Sequence, residues 1–232
     1  MRIVLLGGFV LKLDGSTPRL SADVERLIAF LAIQKGRVPR DFIAGTLWWD
    51  STQDHAFGSL RSALWRLRRL TADLVEADSH ALTISKFAVV DLDEVTRMSE
   101  RLDDPATKPE HLPEVDMFTQ ELLPGWYDDW VSTVRERHRQ RCLHALEQLS
   151  NRHTEAGAHG QAIQAALAAI ALDPLRESPH RQLIKVHLDE GNYSEAFSHY
   201  HHYRHLLQTE LGIGPSQVFE RLLRRTPVPA ST

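Results

Sequence analysis

The sequence has a single cysteine, Cys142, among 232 residues. An internal disulfide is therefore impossible, and a reducing cytoplasm fits the chain. No apolar run approaches the ~20 residues that a membrane-spanning helix needs. The apolar start MRIVLLGGFVLKLDG alternates and reaches a turn at Asp14-Gly15, which is the pattern of strands and not of a signal peptide. Catalytic motifs are missing as well. There is no phosphate loop ending in GK[ST], no G-x-G-x-x-G after a strand, no H-E-x-x-H and no G-x-S-x-G. Cys142 falls mid-helix beside Arg141 and His144, where a lone cysteine is ordinarily structural. Neither enzymatic activity nor a cofactor is expected.

Net charge is low too, at −4, but it is unevenly placed. Residues 1–72 hold eleven Lys and Arg against six Asp and Glu, and residues 101–232 hold fourteen against eighteen. The basic excess coincides with the stretch STQDHAFGSLRSALWRLRRL (51–70). Here Ala56, Leu60, Ala63, Leu64, Leu67 and Leu70 recur at three- and four-residue steps and form one helix face, with Asp54 or Ser51 as cap. Opposite them fall Ser59, Ser62, Trp65, Arg66 and Arg69, flanked by Arg61 and Arg68. No acid follows Asp54 until Asp73, so these arginines lack partners within their own helix. An unpaired basic face with small hydroxyls is the chemistry of a helix laid in a DNA major groove. A core helix with a solvated arginine face carries the same pattern, and the surrounding elements decide between the two.

Those elements read in order. Residues 2–6 and 9–13 are strands, and Pro18 to Leu20 adds a short third. Ser21 caps a helix over 21–34 that Gly36 stops. A shorter helix over 40–48 turns Phe42, Ile43 and Leu47 inward. After helix 51–70 come the alternating runs 74–78, 81–85 and 88–92, turning at Ser79-His80 and Lys86-Phe87. Three helices followed by a hairpin is the order of a winged helix-turn-helix, with the third helix as reader and Lys86 at the wing tip. Lys86 touches backbone phosphate there, or is merely a solvated turn residue.

The strand pair, GRVPRDFIAGTLWWD (36–50), SLRSALWRLRRL (59–70) and the closing hairpin together resemble the OmpR/PhoB-type winged helix, in the form carried by the Streptomyces antibiotic regulatory proteins (SARPs). Those proteins join it to a bacterial transcriptional activation domain. The phrases LLPGWYDDWV (122–131), AIALDPLRE (169–177) and ELGIGPS (210–216) resemble that domain, so the likeness runs over about residues 2–225. The resemblance places no ATPase, phosphopeptide-binding or receiver segment within the 232 residues.

The second half has its own pattern. Residues 101–117, with Pro105, Pro109 and Pro113, read as a connecting segment. Helices follow over 128–157, 159–172, 176–190 and 193–210, and a last one runs from Pro215 to about 225. Ala162, Ile163, Ala166, Leu167 and Ile170 of the second, and Ala196, Phe197, Tyr200 and Leu207 of the fourth, point inward. Gly157 and Gly191, Ala162 and Ala196, and Ile163 and Phe197 are each 34 apart, the period of tetratricopeptide helix pairs. Ten of the thirteen histidines fall between 138 and 205. His201 and His205, four apart on one face, are weak candidates for a divalent metal, but no cysteine or carboxylate completes a set.

The expected architecture is an α+β N-terminal winged helix domain (1–98), a connecting segment (99–120) and an all-α tetratricopeptide-like activation domain (121–226). The expected function is a cytoplasmic, nucleoid-associated, sequence-specific transcriptional activator. Ser59, Ser62 and Arg66 contact bases, while Arg61, Arg69, Arg37 and Arg40 hold phosphates. Trp65 packs on the wing, inserts beside a thymine methyl, or meets another protomer. The resemblance implies a homodimer on promoter direct repeats and recruitment of RNA polymerase holoenzyme. Two alternatives remain: a regulator whose helical repeats sense an effector, and a helical scaffold that never binds DNA.

Overall fold

The computed structural model describes residues 1–104 and 111–224. Pro105, Pro109 and the end of the stretch 121–226 lie outside the described residues. The fold is mostly helical, with few and short strands. It divides into two compact units, each discontinuous in sequence: residues 1–97 with 120–137, and residues 98–119 with 138 onward.

In the first unit, β1 (Arg2–Val4) and β2 (Val10–Lys12) pair antiparallel with Ile3 opposite Leu11. Pro18 to Leu20 form no strand. The third strand of this sheet is instead β6 (Val89–Val90), parallel to β1 with Ile3 opposite Val90. Two things favour that exchange. Pro18 has no N–H to give a ladder, whereas Asp91, next to β6, accepts the backbone N–H groups of Leu5 and Leu6 at 2.9–3.0 Å. That buried carboxylate also accepts from Leu92 N–H at 2.8 Å, and its remaining partners reach it only with β6 beside β1.

Three helices follow: α1 (Ala22–Gln34), α2 (Arg40–Leu47) and α3 (Gln53–Leu70). Ser21 stands at the N-cap of α1, but only its carbonyl works there, accepting from Val24 and Glu25. Its hydroxyl faces Arg66. Thr52, and neither Ser51 nor Asp54, occupies the N-cap of α3, again without a side-chain bond. Ala56, Leu60, Ala63, Leu64 and Leu67 are buried as the periodicity predicts, and α3 packs on α1 and α2. Leu70, at the last helical position, is exposed. Phe42 is also half exposed, with its ring tilted on Phe30 at 5.7 Å.

A second sheet has the order β3 (Val38–Pro39), β5 (Ala81–Ile84), β4 (Val75–Ala77), antiparallel throughout. The hairpin β4–β5 therefore turns at Asp78-Ser79-His80. Lys86-Phe87 is not a hairpin tip, because β6 leaves this sheet to join β1. Residues 120–137 complete the unit. Leu123 N–H donates to Leu5 O and Gly7 N–H to Glu121 O, both at 2.8 Å. Trp126 lies against Phe9, and Trp130 meets Phe30 edge-on at 5.2 Å. Arg135 donates to the carbonyls of Leu122, Leu123 and Trp126 at 2.6–2.9 Å and so fixes the loop that carries Trp126 and leads to Trp130.

Helices α4 (Asp91–Leu102) and α5 (Asp129–Glu155) each pass from one unit into the other. In the second unit α6 (His159–Leu172), α7 (Glu177–Asp189) and α8 (Tyr193–Leu211) pack in succession, and α9 (Gln217–Arg224) follows. The 34-residue repeat is present in the backbone. Gly157 and Gly191 have φ of 72° and 77°, a conformation that a side chain disfavours. The next residues, Ala158 and Asn192, donate to His153 O and His187 O, both at 2.8 Å. Ala162 and Ala196 are both fully buried. Leu167 and Phe197, expected inward, are exposed, while Ala165 and Ala169 are buried in α6. The helix is packed through its alanines, and the larger side chains are left on the rim.

Candidate nucleic-acid interface

The buried stripe of α3 defines what faces outward. At 100° per residue the centre of the opposite face holds Gly58, Ser62, Trp65 and Arg69. Arg61 and Arg68 fall on one flank, Ser59 and Arg66 on the other. Gly58, Arg61, Ser62, Trp65 and Arg66 line an open groove of about 510 Å³. Trp65 is 60% exposed and so is not covered by the hairpin. The Arg69 guanidinium stacks over its ring, 4.9 Å from the centroid. This cation–π contact orients a large flat surface and a charge together. Arg66 is steadied from α1: its Nη1 donates to Ser21 Oγ at 3.4 Å and lies 3.9 Å from Asp23 Oδ2.

A second cluster forms at the hairpin tip. Asp78 Oδ1 accepts the N–H groups of His80 and Ala81, both at 2.8 Å. Its Oδ2 meets Arg37 Nη2 at 2.6 Å, and its carbonyl accepts from Arg40 Nε at 3.0 Å. The N–H groups of His80 and then Ala81 hold the Asp78 carboxyl below its ordinary value, and the charge of Arg37 adds to the effect. The sequence-predicted residues thus fall into two groups, the α3 face (Ser59, Arg61, Ser62, Trp65, Arg66, Arg69) and the hairpin tip (Arg37, Arg40). Lys86 belongs to neither; its ammonium sits 5.3 Å from the Phe87 ring centroid. Sequence reasoning passed over Gly58, although the spacing 58, 62, 65, 69 marks it, and Asp78, whose link to Arg37 spans the intervening helices.

Other titratable candidates lie in the second unit. Cys142 is buried 3.4 Å from His138 Nε2, and burial pushes its thiol up to about 12. A neutral buried thiol is a poor nucleophile. His201 and His205 are exposed on α8. Among the described residues no group of three or more His, Cys, Asp or Glu is placed to hold a metal ion.

Residues 87–225 match the model of the family described as bacterial transcriptional activator domain. The chain belongs to this family. The bacterial transcriptional activator domain family is one of transcriptional regulators and not a known enzyme family. Regulatory protein AfsR of Streptomyces coelicolor is 25% identical over 239 residues, covering 97% of this chain and 24% of AfsR. The structure of Mycobacterium tuberculosis EmbR in complex with a low-affinity phosphopeptide shares the fold, with a TM-score of 0.76 and 20% identity over 99% of this chain and 66% of that one. The chain thus spans about a quarter of AfsR and 66% of the EmbR chain. The family match makes this a bacterial transcriptional activator domain protein, and the likeness to EmbR shows its fold.

Proposed function

We propose that the protein is a sequence-specific DNA-binding transcriptional activator that occupies promoter direct repeats as a homodimer and helps recruit RNA polymerase holoenzyme. In this reading residues 1–98 are an OmpR/PhoB-type winged helix, 99–120 connect, and 121–226 form the tetratricopeptide-like activation domain. The protein then works in the cytoplasm, on the nucleoid. The observation that carries the reading is the outward face of α3. Arg61, Ser62, Trp65 and Arg66 converge on one open groove, and the buried stripe fixes which way they point. Ser59, Ser62 and Arg66 read bases, while Arg61 and Arg69 hold phosphate. Arg37 and Arg40 hold phosphate from the hairpin tip, and Lys86, off that tip, has no part.

The test is a gel shift on regions upstream of the protein's own and neighbouring genes, across ~50–200 mM salt. A discrete complex that survives the higher salt and is lost with Arg66→Ala supports the reading. Salt-sensitive binding to every fragment, or no binding, counts against it.

One observation favours the effector-sensing alternative. A cavity of about 710 Å³ lies between the segment 112–119 and α6, where Glu114, Asp116, His153, Gln161 and Gln164 alternate with apolar side chains such as Leu112, Val115 and Leu167. The size suits a small molecule. A rise in melting temperature with a polar metabolite, abolished by Gln164→Ala, would place an effector there.

A further inference from the structure

Gly58 is a glycine in the body of α3 that the fold does not require. Its φ is not left-handed. A β-carbon built at this position meets only the tip of Arg61, with Nη2 at 3.8 Å, an ordinary contact with a flexible side chain. A glycine in a helix is less stable than an alanine, because it gives up more backbone freedom on folding. The free protein therefore carries a cost here for which its own packing offers no return. The position is not arbitrary, since Gly58 lies at the centre of the outward face, directly opposite the buried stripe. It also lines the same groove as Arg61, Ser62, Trp65 and Arg66. Along the face the side chains lengthen from Gly58 through Ser62 to Trp65 and Arg69, so this row of the helix is lowest at Gly58.

We propose that Gly58 is the point of closest approach between α3 and DNA, where the missing side chain lets the duplex come against the helix backbone and sets the depth at which Ser62, Trp65 and Arg66 engage. The inference rests on the DNA-binding reading above. It makes Gly58 a positioning residue: it reads no base, but a methyl group there lifts the whole face outward. Gly45, in α2, is the matched control. It too is helical; it is exposed where Gly58 is half-buried, and nothing lies within 4 Å of a β-carbon built on it.

The experiment compares the unaltered 232-residue protein, Gly58→Ala and Gly45→Ala. Each is melted, then titrated on the upstream fragment that gives a discrete complex with the unaltered protein and on a scrambled duplex of equal length. Both variants should melt about 2–4 °C higher, as expected for a small helix-propensity gain in a chain of this size. Only Gly58→Ala should bind the upstream fragment on the order of tenfold more weakly, the loss of roughly one base contact, with its binding to the scrambled duplex little changed. Unaltered affinity in Gly58→Ala overturns the proposal, as does an equal loss in Gly45→Ala. A lower melting temperature in Gly58→Ala also overturns it, because the glycine would then serve the fold. If the unaltered protein gives no discrete complex on any fragment, the DNA-binding reading itself falls.

Discussion

His180 Nδ1 and His199 Nε2 lie 2.9 Å apart, and His180 Nε2 lies 2.9 Å from the carbonyl oxygen of Pro174. A carbonyl only accepts, so His180 carries its proton on Nε2. Its Nδ1 then accepts from the Nε2–H of His199, and both rings are neutral. His180 is buried and stacks on Tyr203 at 3.9 Å between centroids.

Burial holds both imidazoles below their usual value, His199 at about 4, and the nearby His180, His202 and His187 disfavour its charge further. In the unfolded chain both titrate near ~6.5. Between about pH 6.5 and 4 the unfolded chain therefore binds protons that the native one does not, and stability falls as pH falls through that window. The melting temperature should be lower at pH 5 than at pH 7. His199→Gln keeps an N–H for His180 but cannot titrate, and should flatten that slope. Equal slopes in the two proteins would refute the assignment.

Arg66→Ala should weaken operator binding by about 1–3 kcal/mol and relax the preference at one base position. Arg61→Ala should weaken binding to all duplexes alike. Competition with single-position operator variants separates the two, and a uniform loss with Arg66→Ala would move that residue to the phosphate group.

Asp78→Asn keeps the acceptor for His80 and Ala81 and removes only the charge facing Arg37. Non-specific affinity should rise at ~50 mM salt, and the dependence of log affinity on log salt should steepen by about one phosphate's worth. The melting temperature should barely change. A salt slope identical to that of the unaltered protein would show that Arg37 is remote from the phosphates.

Cys142, raised to about 12 by burial, should resist alkylation by iodoacetamide at pH 8 in the native protein and react readily in urea. Mass spectrometry of the alkylated peptide reads both states. Rapid native labelling would mean that α5 opens without global unfolding.

The helices of the first unit were legible because their apolar spacing is strong and their packing local. The same holds for the turns at Gly157 and Gly191, whose 34-residue spacing reflects one backbone geometry used twice. What escaped was decided at long range. A two-residue strand such as β6 has no signal of its own, and its place follows from Asp91 reaching Leu5 and Leu6. Ser21 and Thr52 look like side-chain caps, but capping bonds depend on rotamers that tertiary neighbours set; Arg66 stands beside the Ser21 hydroxyl. Leu167 and Phe197 obey helical spacing yet lie outside the alanine contact by which neighbouring helices approach. On the α3 face, the spacing found the arginines, whereas Gly58 offers no side chain for a pattern search to detect. The histidine spacing directed attention to His201 and His205, while the pair that meets, His180 and His199, comes from different helices.

The loop that Arg135 fixes has a bearing on how the protein is born. Leu5, Phe9 and Phe30 wait for Leu123, Trp126 and Trp130, more than ninety residues downstream. At about 5–20 residues per second of synthesis, the first unit spends several seconds on the ribosome with those apolar surfaces uncovered, and by then the chain that separates its two pieces has already emerged. Apolar surface left bare in this way is prone to aggregate during that interval, and a fragment cut at Arg97 keeps it bare permanently.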